Sequence, residues 1–199
     1  MKFFVNFLSA FRILAAFLII PTIMYNWYWI TFILYLFGAL SDWFDGFLAR
    51  KYNCTSKMGG VLDSISDKIF VCITLVLLTI MTPVWFIIVP VLIMIARELY
   101  ISGLREFLGT QKLEMPVPKN KFAMGKIKTT LQMLATVLFF LMFAIGSAIT
   151  PNTTSRFVFY LIYILPQTGV FCLWAALVAS IISAIQYTHT FAQKMKKIK

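Results

Sequence analysis

Four of the seven acidic residues in this 199-residue chain come as two tight pairs: Asp42 and Asp45 lie three apart, Asp63 and Asp67 four apart. At about 100° per residue each pair shares one face of a helix. Asp42, Asp45, Gly46 and Ala49 make one stripe, and Ser56, Gly59, Asp63 and Asp67 make a second if its helix begins early enough. Two such stripes facing each other would set four carboxylates in mutual repulsion, and they could not all stay ionised without a partner. Hard oxygen ligands of this kind suit Mg2+ or Mn2+, and two divalent cations would balance the four charges. Gly46, Ala49 and Gly59 leave backbone bare beside the acids, which suits close helix packing or the approach of a nucleotide diphosphate carrying those cations. Intramembrane carboxylates also serve cation or proton transporters, but there they belong near the bilayer midplane, often on a broken helix. Here they stand beside Arg50, Lys51, Lys57 and Lys68, company that fits chemistry at headgroup level.

The elements that must carry these residues are membrane helices. Hydrophobic residues make up 61% of the chain and charged residues 13%, with mean hydropathy +0.88. Apolar stretches long enough to cross about 30 Å of hydrocarbon run over 7–25, 28–48, 60–81, 84–104, 129–149 and 168–188. The expected fold is therefore an all-α integral membrane protein of six transmembrane helices, forming one domain over residues 1–199. The first span lacks a small-residue cleavage pattern behind it and is followed at once by the second, so it reads as a retained helix. The connections at 25–28, 81–84 and 149–156 fall on one side, and both termini fall on the other. Of 18 Lys and Arg, all but Arg156 lie on or near the terminal side, which the positive-inside rule makes cytoplasmic. Orientation and attraction to anionic lipid explain the +11 charge without a nucleic-acid partner. Cys54, Cys72 and Cys172 have neither disulfide nor zinc spacing, His189 reads as an interfacial residue, and Trp27, Tyr28, Trp29 and Trp85 as outer-interface anchors.

The run DWFDGFLARKYNCTSKMGGVLDSISD, from Asp42 to Asp67, resembles the signature of the CDP-alcohol phosphatidyltransferase family: Asp, two residues, Asp-Gly, two residues, Ala-Arg, eight residues, Gly, three, Asp, three, Asp. Near the start, Asn6, Ser9 and Arg12 are similar to the family's opening Pro-Asn-x-x-Thr-x-x-Arg, with Val5 in place of the proline and Ser9 in place of the threonine. IARELYISGLREF from Ile95 and MGKIKTTLQM from Met124 resemble segments of its bacterial phosphatidylglycerophosphate synthases. The resemblance implies transfer of a phosphatidyl group from CDP-diacylglycerol to glycerol 3-phosphate in phospholipid biosynthesis, in the bacterial inner membrane, with the active site facing the cytoplasm and the enzyme a homodimer. Inositol phosphate, serine and phosphatidylglycerol are the alternative acceptors.

The same resemblance assigns Asp42, Asp45 and Asp63 to one cation, and Asp67 with Asp42 and Asp63 to the second. It lines the CDP-lipid with Asn6, Ser9, Gly46, Arg50, Ser56 and Gly59, beside Asp42 and the bare backbone at Ala49, and makes Asp67 the general base. A glycerol 3-phosphate dianion needs fixed positive charge. Arg97 and Arg105, eight apart on one helix face, and Lys126 and Lys128, opening the fifth span, are the candidates. The competing reading is that these four are topology signals paired with Glu98 and Glu106.

Overall fold

The computed structural model describes the backbone of residues 2–52, 57–110, 124–149 and 156–196, and the side chains of 9–41, 59, 61–110, 124–149 and 156–195. Among the described residues six helices succeed one another: α1 (Lys2–Met24), α2 (Tyr28–Tyr52), α3 (Lys57–Met81), α4 (Trp85–Thr110), α5 (Met124–Ser147) and α6 (Arg156–Lys196). Four of them, α3 to α6, are long and apolar enough to cross a membrane, and the described parts of α1 and α2 are apolar over Ser9–Met24 and Tyr28–Ser41. The protein is a multi-pass, all-helical membrane protein.

The connection from α1 to α2 is a helix cap. Asn26 takes φ 59°, the left-handed conformation that Asn tolerates better than most side chains. This lets Trp27 N–H reach back to Thr22 C=O at 2.8 Å and Asn26 N–H to Ile23 C=O at 3.0 Å, so the carbonyls ending α1 find partners. Thr31 of α2 then donates to the Thr22 hydroxyl at 2.9 Å and locks the two helices together.

The sixth helix departs from the expected 168–188 span. It starts at Arg156 and runs for 41 residues straight through Pro166. The stretch ahead of the proline, FVFYLIYIL, is as apolar as the turns beyond it, and in lipid a helix is the only way to satisfy its backbone. At 1.5 Å per residue α6 is about 60 Å long, twice the hydrocarbon thickness. Its later turns are therefore free to form a wall beyond the apolar layer.

Close approach of helices holds the middle of the bundle. Tyr35 of α2 is buried, stacks on Phe70 of α3 at 5.2 Å and meets Phe140 of α5 edge-on at 5.1 Å. Gly38, one turn after Tyr35, lies against the same Phe70: a Cβ there would stand 2.5 Å from the ring. Gly169 does the same for α6 on Phe139 of α5, at 2.9 Å. Tyr35 and Gly38 thus share one face of α2 against Phe70 of α3.

Candidate active site

Where α3, α4, α5 and α6 reach the end of the bundle opposite the 25–28 and 81–84 connections, they enclose a cavity of about 280 Å3. All four of the expected phosphate-binding cations line it. Arg97 and Arg105 come from α4, two turns apart on one face, and Lys126 and Lys128 from the first turns of α5. Asp67 and Lys68 of α3 form the facing wall.

The cations are held differently. Glu98 accepts from Arg97 Nη1 at 3.1 Å and also pairs with Lys128, which is only 6% exposed. The expected pairing with Glu98 is thus real for these two, and it lets α4 and α5 share a buried charge between them. Arg105 has a different neighbour: its Nη2 donates to Tyr187 Oη at 3.0 Å, and its guanidinium carbon sits 5.1 Å from the Tyr187 ring centre. Arg97 lies 6.0 Å from the same ring and donates from Nη2 to Ser183 Oγ at 2.8 Å. One tyrosine of α6 therefore stands beside two guanidiniums, where its ring quadrupole offsets part of their mutual repulsion.

Ser183 and Tyr187 are not among the residues expected from the sequence, although a signal for them exists there. Ser183, Gln186, Tyr187 and Thr190 recur at offsets of three, four and seven along α6, and all four line the cavity. His189 lies on another face of α6, in a shallow groove with Ile181, Ala184, Ile185, Thr188 and Ala192.

On the acidic side, Asp63 and Asp67 occupy successive turns at the start of α3, as their spacing requires. Arg12 of α1 is 0% exposed and puts Nη1 3.3 Å from Asp63 Oδ1, while the Asp63 side chain remains 46% exposed. A fully buried cation beside a half-open carboxylate fixes one oxygen and leaves the rest of the group accessible. Ser9, one turn before Arg12, and Gly59, one turn before Asp63, are both buried. The side chains of Asn6, Asp42, Asp45, Gly46, Ala49 and Arg50 lie outside the described residues, as does Ser56 altogether, α3 beginning at Lys57. Among the described residues no three His, Cys, Asp or Glu side chains cluster as cation ligands. The expected set draws half its members from α2, at Asp42 and Asp45, one and two turns beyond the Gly38 that packs on Phe70 of α3. Hard oxygen donors on α3, one of them steadied by a buried guanidinium, fit Mg2+ or Mn2+.

The stretch most similar to a CDP-diacylglycerol–glycerol-3-phosphate 3-phosphatidyltransferase of Yersinia enterocolitica is 45% identical over 101 residues, covering 51% of this chain and 54% of that relative. A protein of the same name from Cereibacter sphaeroides is 40% identical over 145 residues, covering 68% of this chain and 62% of the relative. One from Blochmanniella floridana is 35% identical over 134 residues, covering 66% and 70%. The chain thus spans little more than half the length of the first of these relatives. The family profile itself matches residues 3–182, from the first turn of α1 to the residue before Ser183 of α6. A chain so matched over nearly its whole length belongs to the CDP-alcohol phosphatidyltransferase family.

Proposed function

We infer that this protein transfers the phosphatidyl group of CDP-diacylglycerol to glycerol 3-phosphate, releasing CMP and forming phosphatidylglycerophosphate. The observation that carries the reading is the cavity in which Arg97, Arg105, Lys126 and Lys128 converge opposite Asp67. Four cations against one lining Asp and Glu98 make a place for a small dianion beside a base. The relatives named above support the same donor and acceptor.

In this reading Arg97, Arg105 and Lys126 hold the acceptor's phosphate, and Lys128 adds positive potential at the cavity floor while tied to Glu98. Asp67 accepts the proton of the acceptor's primary hydroxyl. The oxygen attacks the lipid-bearing phosphorus, a new P–O bond forms, the bond to the bridging oxygen breaks, and CMP leaves with that electron pair. Asn6, Ser9, Gly46, Arg50, Ser56 and Gly59, with Asp42 and Ala49, line the CDP-lipid. Asp42, Asp45, Asp63 and Asp67 would hold two divalent cations, Mg2+ or Mn2+, which when bound neutralise the diphosphate and the departing CMP. Arg12 keeps Asp63 oriented for that role. The chain forms a single domain, works as a homodimer in the bacterial inner membrane, and turns both termini and the cavity to the cytoplasm, as the distribution of Lys and Arg favours.

The test is CMP release by purified protein given CDP-diacylglycerol, a divalent cation and, in turn, glycerol 3-phosphate, glycerol, inositol phosphate, serine and phosphatidylglycerol. Glycerol 3-phosphate should be the preferred acceptor. No CMP with any of them, together with cation flux in sealed vesicles, would replace this reading with a transporter.

A further inference from the structure

Below the cationic cavity lies a second, smaller space of about 20 Å3, lined by Asp67, Lys68, Glu98, Lys128 and Thr129, which it shares with the main cavity, and by Val71, Cys72 and Gln132 beneath them. It is a floor compartment under the Glu98–Lys128 pair. Its volume holds one water or one hydroxyl oxygen. Gln132 of α5 is 2% exposed, and its Nε2 has no hydrogen-bond partner among the described residues. A buried amide left so is costly, and buried polar groups in native proteins are nearly always satisfied. Thr129 Oγ1 donates to Gly125 C=O at 3.0 Å and makes no bond to the Gln132 amide. The groups lining the compartment thus call for a small polar occupant at the floor, able to accept from Gln132 and donate to a neighbouring carboxylate.

We propose that Gln132 and this floor compartment bind the secondary hydroxyl of the acceptor, making Gln132 a specificity-determining residue. The proposal rests on the acceptor reading above and sharpens it. Glycerol 3-phosphate carries its secondary hydroxyl on the carbon between the reacting hydroxyl and the phosphate-bearing carbon. The floor compartment likewise shares Asp67 with the wall that meets the reacting hydroxyl and Lys128 with the wall that meets the phosphate. An acceptor spanning the two walls therefore presents its middle carbon to the floor. The acceptor's hydroxyl there takes the hydrogen bonds that solvent would otherwise make. A site built this way accepts a short polyol phosphate and penalises one that lacks the middle hydroxyl, because the Gln132 amide is then left unsatisfied.

The experiment compares glycerol 3-phosphate with 3-hydroxypropyl phosphate, which has the same two ends and no secondary hydroxyl, using CMP release from CDP-diacylglycerol. The unmutated protein should favour glycerol 3-phosphate in kcat/KM by about ten- to a hundredfold. In Gln132→Met, of similar volume and apolar, that preference should collapse to within about threefold, by loss on glycerol 3-phosphate with the analogue scarcely affected. Two results overturn the proposal alone: equal use of both acceptors by the unmutated protein, which needs no variant to be seen, or a parallel fall for both in Gln132→Met with the preference intact. Failure of the unmutated protein to release CMP with either phosphate overturns the acceptor reading, and this proposal with it.

Discussion

The acidic and basic sides of the site are built by different means. On the acidic side, Asp63 and Asp67 are one helical turn apart on α3, so a single helix sets their mutual placement; Asp67 lines the cavity beside Lys68, and Arg12 of α1 adds a buried tether to Asp63. On the basic wall, Arg97 and Arg105 come from α4, Lys128 from α5, and the groups that steady them, Ser183 and Tyr187, from α6. No two of those helices place the wall alone. A charge array made by local spacing survives the loss of distant contacts, whereas one made by three helices depends on each interface. Removing one member of the acidic set takes away a proposed ligand of both cations and should stop the reaction, whereas removing one of four cations on the basic wall leaves three and should cost by degrees.

The largest effect tests the acidic side. Asp63→Asn should leave no measurable CMP release while the detergent-purified protein keeps its elution profile, since the change removes a proposed ligand of both cations and the partner of Arg12. Substantial residual activity would mean that the acid wall is not a cation site. Asp67→Asn should lower kcat by about 10²- to 10⁴-fold with CDP-lipid affinity largely kept, as for a lost general base. An equal loss of donor affinity would make Asp67 chiefly a ligand.

On the basic side the expected damage is smaller and selective. Replacing Arg105 or Lys126 by Gln should raise KM for glycerol 3-phosphate by about ten- to 150-fold, the equivalent of one charge-assisted hydrogen bond at ~1.5 to 3 kcal/mol, with CDP-diacylglycerol little affected. Equal loss for both substrates would make these residues topology signals and remove the contrast between the walls.

The same difference decides what could be read from the amino acids. The helical order of the chain and the pairing of Asp63 with Asp67 are local facts, visible in hydropathy and in a spacing of four. Arg97 and Arg105 were legible as one face of α4, and Lys128 as the opening of α5, because charge in an apolar helix is conspicuous. Pairing of these cations with Glu98 and Glu106 was legible too, but that Arg97 and Lys128 would both choose Glu98 was not, since the choice is made by how α4 meets α5. Tyr187 was hidden for another reason. A tyrosine near the end of a membrane helix is ordinary at an interface, and only the length of α6, extended by a helix that does not stop at Pro166, makes those last turns a wall.

Tyr187 provides the finest test of the comparison. Its hydroxyl accepts from Arg105 at 3.0 Å, and its ring lies beside both guanidiniums, so the two contributions can be separated. Tyr187→Phe keeps the ring and removes one hydrogen bond to a group that water can also reach, because Arg105 is exposed. The expected cost is about two- to tenfold in KM for glycerol 3-phosphate, corresponding to ~0.5 to 1.5 kcal/mol. Tyr187→Leu removes the ring as well, leaves Arg97 and Arg105 to repel each other with less relief, and should cost a further factor of about two to five. Neither change should alter KM for CDP-diacylglycerol, since no donor contact involves α6 in this reading. In combination with Arg105→Gln, Tyr187→Phe should add almost nothing, because the hydroxyl acts through that guanidinium. Full additivity in the double variant would show that Tyr187 meets the acceptor on its own account, and the basic wall would then gain a contact on α6 rather than a support.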